Sequence, residues 1–272
     1  MNPNITFSSC FYIIKSKFDA STYVYWMNNF ISIVNQFNLV IYTDENSYKY
    51  IDTKGNARIK VIVKPKEQFH HYKYKDEWIH NHEKNIYLND RIDWSVNMLW
   101  SEKIWFVKET CEKKYFSTDY YGWCDIGYFR NRPNDLHTFY LENWASSEKI
   151  NRLDPSKIHY ACINNDREYI HEIIRYVNNK NEKGLPAIPI PPTQLSVAGG
   201  FFILHQNKIS WWADEYERKL RLYFESEYLV KDDQIILANC ILDHPLKDHF
   251  QLYCENHCEK FDHWFMFQRI LS

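Results

Sequence analysis

The sequence predicts an α/β fold in which a mostly parallel central sheet is flanked by helices. Short apolar segments suited to buried strands alternate with longer segments of helical periodicity. No repeat or low-complexity tract divides the 272 residues. A chain of this length can enclose one large core and a deep cleft. We therefore expect a single domain over residues 1–272.

The first half of the chain alternates predicted strands and helices. In the segment 21–34, for example, Val24, Met27 and Phe30 recur at helical spacing and share one face. An order of strand, helix, strand and strand favours parallel strands joined by crossovers. The predicted strands are 6–15, 38–42, 57–63 and a strand running into a turn at 122–127; the predicted helices are 21–34, 74–88 and 92–111.

The second half continues the pattern around one irregular segment. Residues 184–192 contain four prolines, which exclude regular structure, and we expect a loop over a cleft there. Strands are predicted at 159–163 and 196–204, and helices at 207–224 and 232–242.

The amino-acid composition argues against several classes of function. The net charge is −2 and no basic tract stands out, so nucleic acid is not an expected partner. No apolar run approaches the length of a membrane span, and residues 1–18 lack the features of a secretion signal. The seven cysteines are scattered through apolar segments, as in proteins with reduced thiols, so we expect a cytoplasmic protein. Aromatic residues reach 18%, which fits either AT-rich codon usage or sugar binding.

Asp125 is the first candidate site residue, because it ends an apolar strand just before a turn. In open α/β sheets ligands bind beyond the carboxyl ends of the strands. A carboxylate at that place can hold a divalent ion or the ribose hydroxyls of a nucleotide. An Asp that merely caps a turn is the structural alternative.

Two further motifs suggest a cleft. Gly199 and Gly200 interrupt an apolar segment, which indicates either close approach of a ligand or a bend in the strand. Asp232 and Asp233 stand at a predicted helix start, where they can cap the helix or serve as a general base.

The histidines and cysteines near the C-terminus do not have the paired spacing of a structural zinc site. A single histidine that reaches a catalytic ion is the better hypothesis, with His257 and His263 as the candidates. The sequence has no P-loop, no Gly-x-Gly-x-x-Gly and no Gly-x-Ser-x-Gly motif, which argues against P-loop nucleotidases, dinucleotide oxidoreductases and α/β-hydrolases.

Three blocks in order resemble the HtrL/YibB-type glycosyltransferase family, which is related to the GT-A fold. The first is the helical segment 94–107 with Asn97, Trp100 and Lys103, which leads into the segment 121–127 around Asp125. The second is the segment 198–202 with its glycine pair, and the third is the segment 232–237, which begins Asp232-Asp233-Gln234. The resemblance covers roughly residues 90–245.

The resemblance implies a GT-A-like domain that moves a sugar from a nucleotide-sugar donor to a glycan or another hydroxyl acceptor. Residues 1–130 would bind the donor and residues 131–272 the acceptor. Asp125, with Lys103 or Arg130, would lie near the donor diphosphate or ribose, and Gly199 and Gly200 would line the acceptor site.

The usual cation in such a reaction is Mn²⁺ or Mg²⁺ bridging the phosphates, held here by Asp125 with His257 or His263. The position two after Asp125 is Gly127, so the common Asp-x-Asp pair is absent and Asp125 could hold the ribose instead. Asp233 or Asp232 would be the base in an inverting enzyme. A carbohydrate-binding protein without activity and a metal-dependent phosphohydrolase are the alternatives.

Overall fold

The computed structural model describes residues 4–255 and 260–272. Its centre is a seven-stranded sheet with the order β3-β2-β1-β4-β6-β5-β7. Strand β6 is antiparallel to both of its neighbours, whereas every other pairing is parallel. The strands are Ile5–Phe11 (β1), Asn38–Thr43 (β2), Ile59–Val63 (β3), Tyr120–Cys124 (β4), Ile158–Ala161 (β5), Phe201–His205 (β6) and Phe250–Tyr253 (β7). The predicted mostly parallel sheet is confirmed.

Ten α-helices occur among the described residues, together with several short 3₁₀ turns. They are Ala20–Ser32 (α1), Glu45–Tyr48 (α2), Lys75–Lys84 (α3), Trp94–Ser101 (α4), Lys103–Glu112 (α5), Ser147–Ile150 (α6), Arg167–Asn178 (α7), Ile209–Glu225 (α8), Asp233–Ile241 (α9) and Met266–Ile270 (α10). None of these helices is long and apolar enough to cross a bilayer.

The helices cover both faces of the sheet, as the strand residues show. In β2, Leu39 and Ile41 belong to one hydrophobic cluster, whereas Val40 and Tyr42 belong to another. Successive side chains of a strand point to opposite faces, so both faces are buried. This explains why β1 and β2 read as continuous apolar runs without alternation.

The predicted helix over 92–111 is two helices that meet at Glu102. At this point the buried Glu102 carboxylate accepts the backbone N–H groups of His70 (2.5 Å) and His71 (3.0 Å), which ties the helix boundary to a distant segment. The second helix starts at Lys103, whose side chain is almost fully buried.

Two other sequence predictions were wrong: where one strand begins, and what the proline-rich loop covers. Strand β6 begins at Phe201, so Gly199 and Gly200 precede it and do not interrupt it. The proline-rich segment 184–192 has no helix or strand, but it does not cover the cleft described below, because Leu185 and Ile190 pack into the core elsewhere.

The two halves predicted on either side of residue 130 share one sheet, because β4 from the first half pairs with β6 from the second. The six cysteines in the described part of the chain are free thiols.

Candidate active site

A cleft of about 230 Å³ opens at the carboxyl ends of β1 and β4. The chain leaves β1 toward β2 on one side of the sheet, while β4 leads to the strands on the other side. Such a change of direction is where open α/β sheets bind ligands. A second cavity of about 340 Å³ adjoins the cleft and shares the loop that follows β1. Of the residues predicted for the site, the cleft is lined by Lys103, Asp125, Arg130, Gly199, Gly200, Asp232 and Asp233.

Asp125 follows β4 directly and is held by its backbone and by one tryptophan. Its N–H donates to the Gly200 carbonyl (2.8 Å), and Trp123 Nε1 donates to Asp125 Oδ1 (2.5 Å). The side chain remains 41% exposed. No described residue donates a hydrogen bond to Oδ2, so this oxygen can accept a ligand.

Lys103 lies between two carboxylates at the floor of the cleft. Its Nζ is 3.2 Å from Asp125 Oδ1 and 2.9 Å from Asp233 Oδ2, and it donates a hydrogen bond to the Gly199 carbonyl (2.7 Å). Burial opposes its charge, but the two carboxylates outweigh burial and raise the pKa of Lys103. The residue therefore stays cationic and holds three chain segments together.

Asp233 occupies the first turn of α9 with a side chain that is 8% exposed. Burial raises the pKa of Asp233 to about 6; Lys103 opposes this rise, and Asp232 adds to it. Its Oδ2 forms the ion pair with Lys103 at 2.9 Å. An acid with a pKa near neutrality can act as a general base.

Asp232 is the N-cap residue of α9, yet its side chain makes no capping hydrogen bond. The capping interpretation is therefore wrong for Asp232. The carboxylate lines the cleft and pairs with Lys231 Nζ at 3.1 Å. Both adjacent carboxylates consequently face the cleft.

The two glycines allow the backbone to pass close to these carboxylates. A Cβ on Gly199 would lie 2.7 Å from Asp233 Oδ2, and a Cβ on Gly200 would lie 3.1 Å from Asp125 Oδ2. A side chain at Gly199 would thus displace Asp233. Close approach to protein carboxylates accounts for the glycine pair, while its predicted role in acceptor binding stays a prediction.

Arg130 is half-buried among aromatic rings and oriented by one backbone contact. Its guanidinium carbon lies 4.2 Å from the Trp26 ring centroid, 5.1 Å from Phe265 and 5.5 Å from Phe18. The Nε group donates to the Gly127 carbonyl (2.8 Å). Burial lowers the pKa of Arg130, and the neighbouring Arg132 adds to this effect. No ion pair joins Arg130 to a carboxylate in the described part of the chain.

Two residues that line the cleft were not predicted as site residues: Lys17, and Trp100, which the sequence placed only within the block that contains Lys103. Lys17 Nζ lies 4.6 Å from the centroid of the Trp100 ring. Lys17 falls between the predicted strand 6–15 and the predicted helix 21–34, in a segment to which no site residue was assigned, and β1 already ends at Phe11. A run of serine, lysine and aspartate before a helical segment was the available signal for a loop.

Of the two histidines predicted as metal ligands, only His263 belongs to the described part of the chain, and it is not among the residues that line the cleft. His257 lies outside the described residues. His263 starts a 3₁₀ turn, and its neighbours Trp264 and Phe265 line the cleft while His263 itself does not. Within residues 4–255 and 260–272, no three acidic, histidine or cysteine side chains are grouped for a metal ion.

No protein-family model matches the chain, and a search of curated proteins found no match either. The chemistry of the cleft is therefore the basis for a functional hypothesis.

Proposed function

We propose that the protein is a glycosyltransferase that moves a sugar from a nucleotide-sugar donor to a hydroxyl acceptor. The observation that carries this proposal is the Lys103 ammonium held between Asp125 and Asp233 in a cleft at the carboxyl ends of β1 and β4. The Asp125 carboxylate is open to a ligand, and the Asp233 carboxyl group has a pKa suited to proton transfer. Aromatic residues in the wall, including Tyr12, Phe18 and Trp100, offer flat surfaces to a base or a sugar.

The reaction assigns a separate task to each carboxylate. The acceptor oxygen bonds to the anomeric carbon while the bond from that carbon to the phosphate oxygen breaks. The electron pair leaves with the nucleoside diphosphate, and the hydroxyl proton passes to a base. Asp233 is the proposed base and Asp232 the second candidate, whereas Asp125 holds the donor through its ribose or its diphosphate.

The described residues fit a divalent cation that is held by one protein carboxylate and by the phosphates of the substrate. Proteins usually hold Mg²⁺ by one or two carboxylates together with substrate phosphates, and Asp125 Oδ2 provides one such oxygen. We assign no metal ligand to Asp233, because its Oδ2 pairs with Lys103 and its proposed task is to accept the proton of the acceptor hydroxyl. A cation bound in this way would neutralise charge on the leaving diphosphate. Lys103 supplies fixed positive charge at the same floor of the cleft in either case.

The transfer rate should depend on pH through Asp233. Since only the ionised carboxylate accepts a proton, and the pKa of Asp233 is about 6, kcat/KM should rise about tenfold per pH unit below that value and level off above it. Rates measured from about pH 5 to about pH 8 test this prediction. A flat profile over that range would remove Asp233 from the role of base.

A nucleoside diphosphate should stabilise the folded protein. At a ligand concentration about a hundred times Kd, the gain is about 2.7 kcal/mol, or roughly 5–10 °C in Tm for a protein of this size. Mn²⁺ should increase the shift if a cation bridges Asp125 and the phosphates. Thermal melts with nucleoside diphosphates, free glycans and phosphate monoesters compare the three hypotheses. Stabilisation by glycans alone would favour a carbohydrate-binding protein, and stabilisation by phosphate monoesters alone would favour a phosphohydrolase.

A further inference from the structure

The cleft contains three cationic side chains, but one of them is already committed to protein groups. Lys103 is bound to two carboxylates and a carbonyl oxygen. Neither Lys17 nor Arg130 forms an ion pair with a described residue. Lys17 and Arg130 therefore offer positive charge that no protein carboxylate has taken up, whereas the sequence had suggested Lys103 or Arg130 for the contact with the diphosphate.

Lys17 belongs to the β1–α1 loop (residues 12–19), which starts at the carboxyl end of β1. This loop lines both the cleft and the adjoining cavity. Part of the Lys17 side chain is exposed at the mouth of the cleft, while its ammonium lies over the face of Trp100 at 4.6 Å. The tryptophan ring holds the ammonium in place without neutralising it.

The surroundings of Lys17 disfavour its charge when no ligand is present. Burial lowers the pKa of Lys17, and Lys231 and Lys103 lower it further, although Asp232 and Asp233 act in the opposite direction. A cation held at a desolvation cost is stabilised when an anion binds beside it. The same applies to Arg130, since burial lowers its pKa too.

We propose that Lys17 and Arg130 form an anion subsite that binds the diphosphate of the donor. The proposal rests on the proposed function and adds the residues that receive the leaving group. Arg130 can hold phosphate oxygens with the N–H groups that the Gly127 carbonyl leaves free, and Lys17 adds a compact charge from the β1–α1 loop, which lines the same cleft. Both charges would stabilise the negative charge that develops on the diphosphate as the sugar departs.

Calorimetric titration with inorganic pyrophosphate and with common nucleoside diphosphates tests this subsite. Lys17→Met keeps most of the contact with Trp100 but removes the charge, so it should weaken binding roughly 10- to 100-fold. Lys17→Arg keeps the charge and should retain most of the affinity. The matched control is Lys66→Met, because Lys66 also lies over a tryptophan ring, Trp94 at 5.4 Å, but outside the cleft.

The outcomes separate the subsite from the proposed function. Binding that is lost in Lys17→Met and kept in Lys66→Met supports the subsite, even if no sugar transfer is found. Equal affinity of Lys17→Met and the wild type for a nucleoside diphosphate would overturn the subsite while the proposed function survives. Absence of binding to pyrophosphate and to every nucleoside diphosphate in the wild type would overturn both. Far-ultraviolet circular dichroism of each variant confirms that affinities are compared between folded proteins.

Discussion

Replacing Lys103 by methionine should destabilise the protein by about 3–5 kcal/mol and abolish its activity. The substitution removes the cation that lies between Asp125 and Asp233, and it leaves the buried Asp233 carboxylate without a counter-ion. It also removes the hydrogen bond to the Gly199 carbonyl. Urea unfolding of the two proteins measures the difference.

Two comparisons identify the cause of this loss. The destabilisation should be smaller at about pH 5 than at about pH 8, because a protonated Asp233 needs no counter-ion. Adding Asp233→Asn to Lys103→Met should recover part of the stability, as expected for two interacting residues. Lys84→Met, which removes an exposed ion pair with Glu227, should have little effect. An equally small effect of Lys103→Met would mean that Lys103 does not hold the carboxylates.

Asp125→Asn should lower the rate of sugar transfer by about 10²–10³ without unfolding the protein. Asparagine keeps the size of the side chain but removes the charge that binds the donor. Transfer to an acceptor and slow hydrolysis of the donor should fall together, because both require the same leaving group. The matched control is Asp119→Asn, which alters an exposed aspartate just before the opposite end of β4.

Asp233→Asn should act on a different step from Asp125→Asn. If Asp233 is the base, its replacement should slow transfer while the affinity for the nucleoside diphosphate changes little. Calorimetry for affinity and initial rates for transfer distinguish the two variants. Full activity in Asp125→Asn would contradict the assignment of the donor site to the end of β4.

The sequence predicted the architecture because strands that are buried on both faces are continuous apolar segments in the sequence. The apolar segments of β1, β2 and β4 mark strands that are covered on both faces. Because Asp125 directly follows β4, the sequence placed it at the carboxyl end of that strand. The antiparallel direction of β6 could not be read in this way, since strand direction leaves no trace in a short apolar run.

The contacts within the site could be predicted only in part. That Lys103 and Asp233 line the cleft was expected, but their ion pair joins two helices that are far apart in the sequence, so it could not be read from the chain. Lys17 was missed because it lies in a polar loop with no recognisable motif, and only folding brings that loop to the cleft. Residues that are far apart in the sequence and come together only on folding leave no local sequence pattern from which their contact could be predicted.

The most direct test of the account is the release of nucleoside diphosphate from a panel of nucleotide sugars by the purified protein. We expect release from at least one donor, faster when a hydroxyl acceptor is added, and nearly lost in Asp125→Asn. No release from any donor, or equal release by the wild type and Asp125→Asn, would contradict the proposal that this cleft transfers sugars.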